Sequence, residues 1–175
     1  MDPRDYRAAV TLRDGTPGTI RAIRPEDKER LRWGFEQLSA QTIYHRFFQT
    51  KRELTETDLR YLTEIDFTNH VALVMEVVVD GVMRVIGVGR FVRETDAEPR
   101  DRAEVAFTVG DEFQGRGVAT LLLMHLAGIA RGLKYLCFVA EVMPDNRQML
   151  EVFAHSDLPI TESVRDGVMH VQLGL

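Results

Sequence analysis

The chain has 175 residues, the length of one domain, and its 45% apolar and 28% charged residues are ordinary for a globular protein. The net charge of −5 argues against a nucleic-acid partner, and no apolar run reaches the ~18 residues of a membrane helix. A single cysteine excludes an internal disulfide, and the polar N-terminal stretch lacks a secretion signal, so we expect a cytoplasmic protein without a metal site.

The N-terminal third predicts a hairpin and three short helices. Strand-like residues lie on both sides of Asp14-Gly15, which is a hairpin signal. Ser39 is a candidate N-terminal cap, and Thr55 and Asp58 have nearly the spacing of a capping box. The predicted helices cover 25–39, 39–48 and 54–65.

The pattern then changes to that of strands. Residues 70–92 form two β-rich runs with a turn at Asp80-Gly81, and 95–102 are a polar loop. Residues 103–109 alternate between apolar and polar, as a strand does. Residues 117–131 are rich in leucine, methionine and alanine and predict a helix.

The C-terminal part predicts a buried strand, a helix and a closing hairpin. The strand covers 134–142, and the helix covers 144–156 with Asp145 as its expected cap. The hairpin turns at Asp166-Gly167. The complete order of elements predicts an α/β (α+β) domain, in which helices flank one mixed sheet.

A glycine-rich loop, QGRGVA (114–119), joins the strand at 103–109 to the following helix. The first turn of a helix has unpaired N–H groups and a partial charge of about +0.5, and glycines let a ligand approach the backbone. This combination favours a phosphate site, although a plain strand–helix turn is the alternative. No Gly-Lys-Ser/Thr follows, and Thr120 takes the place of the third glycine of a dinucleotide fingerprint. The glycines of 85–91 lie inside a strand, where they indicate a bulge or close packing.

The loop resembles the Gln/Arg-x-x-Gly-x-Gly/Ala motif of the GNAT superfamily of N-acetyltransferases, and the element order resembles that fold along almost the whole chain. Three segments are similar to the acetyltransferase domain of bacterial Pat-type protein lysine acetyltransferases: 20–48, 103–123 and 145–150. The resemblance implies that two parallel strands splay around acetyl-CoA. Known relatives join this domain to a cyclic-nucleotide-binding or acyl-CoA-ligase-like module, for which 1–175 has no room, so we expect a single domain.

The resemblance also implies the contacts with acetyl-CoA. They are the backbone of Phe107, Thr108 and Val109 for the pantetheine arm, the loop residues Gln114, Gly115, Arg116, Gly117, Val118, Ala119 and Thr120 for the pyrophosphate, and Asn146. A role as N-terminal cap of its helix is the alternative for Asn146.

Glu104 is the candidate catalytic base. A lysine ammonium has a pKa of about 10.4 and must lose a proton before it attacks a thioester. Glu104 stands in an otherwise apolar strand and matches the glutamate that Pat-type relatives use as base; the alternative is a surface glutamate paired with Arg102. Many GNAT enzymes protonate the departing thiolate with a tyrosine, where this chain has Phe153. A thiol with a pKa of about 8.5 can leave without that donor.

The resemblance therefore implies an acetyl-CoA-dependent lysine Nε-acetyltransferase with direct transfer, whose protein substrates are AMP-forming acyl-CoA synthetases. Two alternatives stay open: a small-amine acetyltransferase, and a non-catalytic CoA-binding module. The helices within 26–48 usually shape the acceptor groove of this fold, which makes Tyr44 and Arg46 candidates for contact with the acceptor. His45 is expected to be a surface or packing residue.

Overall fold

A mixed β-sheet of eight strands runs through the computed structural model, which describes residues 2–95 and 101–175. The strands are β1 (Arg7–Thr11), β2 (Pro17–Ala22), β3 (His70–Val79), β4 (Val82–Arg93), β5 (Arg102–Val109), β6 (Cys137–Val142), β7 (Ile160–Arg165) and β8 (Val168–Gly174). The helices are α1 (Lys28–Glu36), α2 (Ala40–Phe47), α3 (Glu56–Thr63), α4 (Val118–Gly132) and α5 (Arg147–Ala154). None of the described helices combines the length and apolarity needed to cross a bilayer. The chain order agrees with the sequence prediction.

The strands lie in the order β1-β2-β3-β4-β5-β6-β8-β7, and every neighbouring pair is antiparallel except β5 and β6. The parallel pair joins only Arg102 to Cys137, Ala103 to Phe138 and Glu104 to Val139. Both strands continue past that point without pairing with each other, although β5 stays paired with β4 and β6 with β8. The sheet therefore divides at Glu104, as the resemblance implied.

The three hairpins that the Asp-Gly pairs predict are present, and in two of the turns both residues of the pair have positive φ. Asp80 and Gly81 have φ of 51° and 77°, and Asp166 and Gly167 have φ of 50° and 77°. Positive φ at both central residues is the requirement of a type I′ turn, which matches the twist of the flanking strands. The turns set the register of β3 with β4 and of β7 with β8.

The starts of α2 and α3 also follow the sequence signals, whereas α1 begins at Lys28 rather than at residue 25, because 25–27 form a 3₁₀ turn. The Ser39 hydroxyl accepts from the Thr42 N–H at 3.2 Å, and Thr55 and Asp58 form a complete capping box. The predicted helix α5 is present, but its predicted cap, Asp145, was wrong. The cap is Asn146, whose Oδ1 accepts from the Met149 N–H at 3.3 Å.

Two further boundaries differ from the prediction. β6 begins at Cys137 rather than at residue 134, because Lys134 has φ of 70° and the Tyr135 N–H still bonds to the carbonyl of Ala130 at the end of α4. The predicted polar loop at 95–102 lies mostly outside the described residues.

Two glycines of β4 bring α4 close to the sheet. A Cβ atom at Gly87 would lie 2.6 Å from Cγ1 of Val118, and one at Gly89 would lie 2.9 Å from the ring of Phe107. Only glycine fits such close approaches, which confirms the prediction of close packing over 85–91. The contact with Val118 fixes the first turn of α4 against the centre of the sheet.

The opposite face of the sheet carries α1 and α2. The Leu31 and Phe35 side chains of α1 line a small cavity together with Ala106 and Thr108, which alternate along β5 with the buried Phe107. Glu104 belongs to the same face as Ala106 and Thr108. The splayed end of β5 is therefore reached from the side on which α2 lies.

Candidate active site

The gap between β5 and β6 opens into a cleft of about 790 Å³. Its walls come from β5, β6, the glycine loop, α2 and α5. All the residues predicted for catalysis or for binding acetyl-CoA line this cleft except Arg116: Glu104, Phe107, Thr108, Val109, Gln114, Gly115, Gly117, Val118, Ala119, Thr120 and Asn146. Of the two residues predicted to contact the acceptor, Arg46 lines the cleft, whereas Tyr44 is exposed on α2 outside its lining. The fold thus brings the glycine loop and the candidate base to one cavity.

The glycine loop presents its backbone to the cleft. Gly115 and Gly117 have φ of 75° and 86°, in the left-handed region that glycine adopts without strain. Gly117 is the N-terminal cap of α4, and no side chain accepts from the first turn. The N–H groups of that turn and the helix dipole therefore remain for an anionic ligand.

Arg13, from the β1–β2 hairpin, lies over the same loop and was missed by the sequence analysis. Its Cγ and Nε atoms lie 3.2 Å from the position that a Cβ at Gly117 would occupy. Its N–H donates to the Arg116 carbonyl at 3.1 Å, and its side chain lines the cleft. No sequence motif marks an arginine more than 100 residues before the loop, because only the pairing of the hairpin with the sheet places it there.

The side chains of Gln114 and Arg116 support the loop. Nε2 of Gln114 donates to Oγ1 of Thr42 and to the carbonyl of Val109, each at 3.2 Å. The Arg116 guanidinium lies 3.3 Å from Asp14 and stacks on the Phe113 ring, away from the cleft. Because these two side chains are engaged within the protein, the backbone is the part of the loop that remains open to a ligand.

Asp111 fastens α2 beside the cleft. Its carboxylate accepts from the Ser39 N–H at 2.9 Å, and from the Ser39 and Thr42 hydroxyls at 2.8 Å each. Farther along α2, Nε2 of His45 lies 3.1 Å from a carboxylate oxygen of Asp145, which precedes α5. His45 thus joins the two walls of the cleft, beyond the surface or packing role expected for it.

Glu104 lies where β5 and β6 cease to pair, and its side chain opens into the cleft. Burial raises the pKa of the Glu104 carboxyl, the charge of Arg46 opposes that shift, and Glu141 and Glu94 reinforce it. Arg102 lies 3.9 Å from Glu94, so the expected alternative pairing of Arg102 with Glu104 is not formed. A partly desolvated carboxylate at this point is suited to accept a proton.

Residues 38–156 match the sequence pattern of the Acetyltransferase (GNAT) family. The chain belongs to this family. The predicted GNAT fold, with a mixed sheet and two parallel strands that separate, is confirmed.

Curated relatives in the family include Acetyltransferase Pat of Mycolicibacterium smegmatis, 38% identical over 82% of this chain and 41% of the relative. Acetyltransferase PA5475 of Pseudomonas aeruginosa is 34% identical over 69% of this chain and 63% of the relative. This chain therefore spans less than two thirds of the length of either protein.

Solved structures give the same result. The GNAT domain of S. lividans PAT has a TM-score of 0.87 and 37% identity, with 97% of each chain covered. A cAMP-binding acyltransferase from Mycobacterium smegmatis has a TM-score of 0.65 and 33% identity over 97% of this chain and 47% of that chain. The resemblance to Pat-type GNAT domains is confirmed.

The GNAT cleft of this chain is apolar at the position of the usual tyrosine. Phe153 is 1% exposed, and its ring centroid lies 6.2 Å from that of Phe107. Asn146 lines the cleft while its side chain caps α5, so the expected capping role is present. Within 2–95 and 101–175, no three His, Cys, Asp or Glu side chains gather closely enough to hold a metal ion.

Proposed function

We propose that this GNAT-family chain transfers an acetyl group from acetyl-CoA to the side-chain amine of a lysine in a protein. The observation that carries this proposal is that one cleft contains an uncapped helix start, an unpaired strand edge and a partly desolvated glutamate. These groups correspond to the needs of a pyrophosphate, an extended pantetheine arm and an amine that must lose a proton.

The strand edge and the loop would hold the cosubstrate. Backbone groups of Phe107, Thr108 and Val109 would pair with the pantetheine arm, although the Val109 carbonyl already accepts from Gln114. The N–H groups of the first turn of α4 would hold the pyrophosphate, and Arg13 would add a positive charge above it.

Glu104 would accept a proton from the lysine ammonium, and the neutral nitrogen would attack the thioester carbonyl. A new C–N bond forms and the C–S bond breaks, while backbone N–H groups of β5 stabilise the oxyanion. Phe153 has no proton to donate, so the sulfur leaves as a thiolate and takes a proton from water. A thiol pKa of about 8.5 makes that departure feasible.

Support for a lysine acceptor comes from the named relatives, the Pat acetyltransferases, and support for acetyl-CoA comes from the family and the cleft. We propose AMP-forming acyl-CoA synthetases as the protein substrates. The test is acetyl-CoA turnover against a panel of purified acyl-CoA synthetases and small amines, with the modified residue located by mass spectrometry. Transfer to small amines alone would replace the lysine proposal, and binding of acetyl-CoA without any transfer would identify a CoA-binding module.

A matched pair of glycine variants tests the phosphate site itself. Gly117→Val introduces a side chain at φ of 86° beneath Arg13, whereas Gly81→Val introduces the same strain at φ of 77° in a distant hairpin turn. We expect only Gly117→Val to abolish binding of acetyl-CoA in calorimetry. Unchanged affinity in a folded Gly117→Val protein would show that the loop is only a turn.

A further inference from the structure

Two neighbouring arginines lie behind the acceptor side of the cleft, and neither forms an ion pair with a carboxylate within the described parts of the chain. Arg90, on β4, is 5% exposed. Its Nη1 donates to the Leu62 carbonyl at 3.2 Å and to Nε2 of His70 at 2.9 Å. Since Nε2 accepts this bond, His70 is neutral, and burial together with Arg90 lowers the pKa of His70 to about 4. The positive charge of Arg90 is therefore not neutralised by its contacts.

Arg46, on α2, has still fewer contacts. Its guanidinium packs over the Phe47 ring at 4.9 Å, and it forms no hydrogen bond or ion pair with any described residue. The side chain lines both the large cleft and the cavity of about 90 Å³ beneath it. Half-buried arginines usually satisfy their planar set of donors with carboxylates or carbonyls. The donors of Arg46 are therefore available on the wall of the cleft.

Glu104 does not take up these donors. Its charge and that of Arg46 influence one another, but the two side chains do not approach within ion-pair distance. Arg90 lines the small cavity together with Arg46 and adds a second positive charge. The cleft thus presents a carboxylate for an amine and, close by, an unneutralised guanidinium for an anion.

We infer that Arg46 binds a carboxylate carried by the acceptor while Glu104 receives the proton of its amine. This inference rests on the proposed acetyl transfer and specifies the acceptor class as an amine with a carboxylate nearby. The carboxylate has two possible sources: an acidic residue next to the target lysine in a protein, or the α-carboxylate of a free amino acid. In both cases a planar carboxylate matches the two parallel donors of a guanidinium.

Two pairs of acceptors test this inference. One is a lysine peptide with glutamate beside the lysine and the same peptide with glutamine, and the other is an α-amino acid and its amide. We expect the carboxylate form of one pair to be favoured by about 10- to 100-fold in kcat/KM, the usual range for a hydrogen bond to a charged group. The pair that responds identifies the source of the carboxylate.

Variants then assign the preference to Arg46. In Arg46→Gln the ratio between the two forms should fall towards one, Arg46→Lys should keep part of it, and Arg60→Gln on the exposed side of α3 should keep all of it. Equal rates for both forms in the wild type, or a preference that survives Arg46→Gln, would overturn the inference while leaving the proposed function intact.

A binding measurement separates this inference from a failure of acetyl transfer. Calorimetry of the same acceptors with the CoA-bound protein should show tighter binding of the carboxylate form, and Arg46→Gln should remove the difference. Equal affinities would overturn the inference even if no acceptor is acetylated.

Discussion

Two groups of buried or half-buried arginines in this protein differ in how their charges are balanced. On the β2–β3 side, Arg21 is 3% exposed and donates to both oxygens of Asp27 at 2.8 Å and to Glu76 at 2.5 Å. Beside the cleft, Arg90 bonds only to neutral groups and Arg46 to none of the described residues. The two groups have the same chemistry but opposite states of pairing.

This difference distinguishes arginines that stabilise the fold from arginines that can bind a ligand. The Arg21 group joins β2, β3 and the turn before α1, and all its charges are satisfied inside the protein. Such a closed group has nothing left for a ligand, and loss of one member leaves a buried charge alone. Arg46 and Arg90, by contrast, have no carboxylate partner among the described residues. We expect the carboxylate that pairs with Arg46 to belong to the acceptor.

The largest expected effect comes from exchanging a glutamate in each region. Glu104→Gln keeps the shape of the cleft but removes the proton acceptor, which should lower kcat by about 10²–10⁴ with little change in affinity for acetyl-CoA. Glu76→Gln should lower stability and leave kcat near that of the wild type, because Glu76 pairs only within the Arg21 group. Steady-state kinetics measure kcat, and calorimetry measures the affinity for acetyl-CoA and the stability of each variant. Near-normal turnover of Glu104→Gln would remove Glu104 from the mechanism.

The next effect concerns stability. Asp27→Asn should cost about 3–5 kcal/mol in urea unfolding, because Arg21 then lacks its main counter-ion. Burial alone would raise the pKa of Asp27, but the bonds from Arg21 and from the Arg24 N–H hold it below its usual value.

The lowered pKa of Asp27 also makes the loss of stability in Asp27→Asn depend on pH. The folded pKa of Asp27 lies below the unfolded value of about 3.9, so its stabilisation is complete above that pH and is lost as pH falls through the folded pKa. We therefore expect the difference in unfolding free energy between wild type and Asp27→Asn to stay constant from pH 7 to about pH 4 and to narrow as the pH falls further. A difference that does not narrow there would mean that Asp27 does not contribute by its charge.

A smaller effect is expected from Arg13, an exposed arginine at the glycine loop. Arg13→Gln should weaken acetyl-CoA binding by about 3- to 10-fold, since one charge-assisted contact is lost at a solvent-accessible site. The loss should shrink in high salt, which screens the phosphate contact. Arg7→Gln, at the far end of β1, is the matched control and should bind normally. Calorimetry of acetyl-CoA binding to both variants at two salt concentrations measures the loss of affinity and its salt dependence.

The smallest effect is a shift in pH dependence. Burial raises the pKa of Glu104 and Arg46 lowers it, so Arg46→Gln should raise it further. A base works when ionised, and the acid limb of the kcat/KM profile should therefore move to higher pH. A limb that stays in place, or moves to lower pH, would show that Arg46 does not act on this carboxylate.

Local sequence signals predicted most of the fold. Asp-Gly pairs located three hairpins, and Ser39 and Thr55 located two helix starts, because these residues satisfy backbone geometry within a few positions. The cap of α5 was misplaced by one residue, since both Asp145 and Asn146 are good caps and only the chain path decides between them.

The sequence motif and the resemblance together placed the glycine loop and Glu104 at one cleft, and their roles in binding and catalysis stay predictions. Arg13 was not predictable, because its position depends on how the N-terminal hairpin meets the loop. Arg46 was predicted only as a candidate for contact with the acceptor. Its lack of a partner depends on side chains from separate elements, and no spacing in the sequence records it.

The short junction between β5 and β6 also divides the protein mechanically. On the β5 side lies a sheet of long antiparallel strands, and on the β6 side a three-stranded unit that includes the C-terminal hairpin; between them only three residue pairs are formed. Within 105–109, the backbone amides that point into the gap rather than towards β4 should exchange with deuterium faster than those of β3, which is paired on both sides. A thioester arm that bridges the gap would act as a missing strand, so cosubstrate binding should make the two halves move as one.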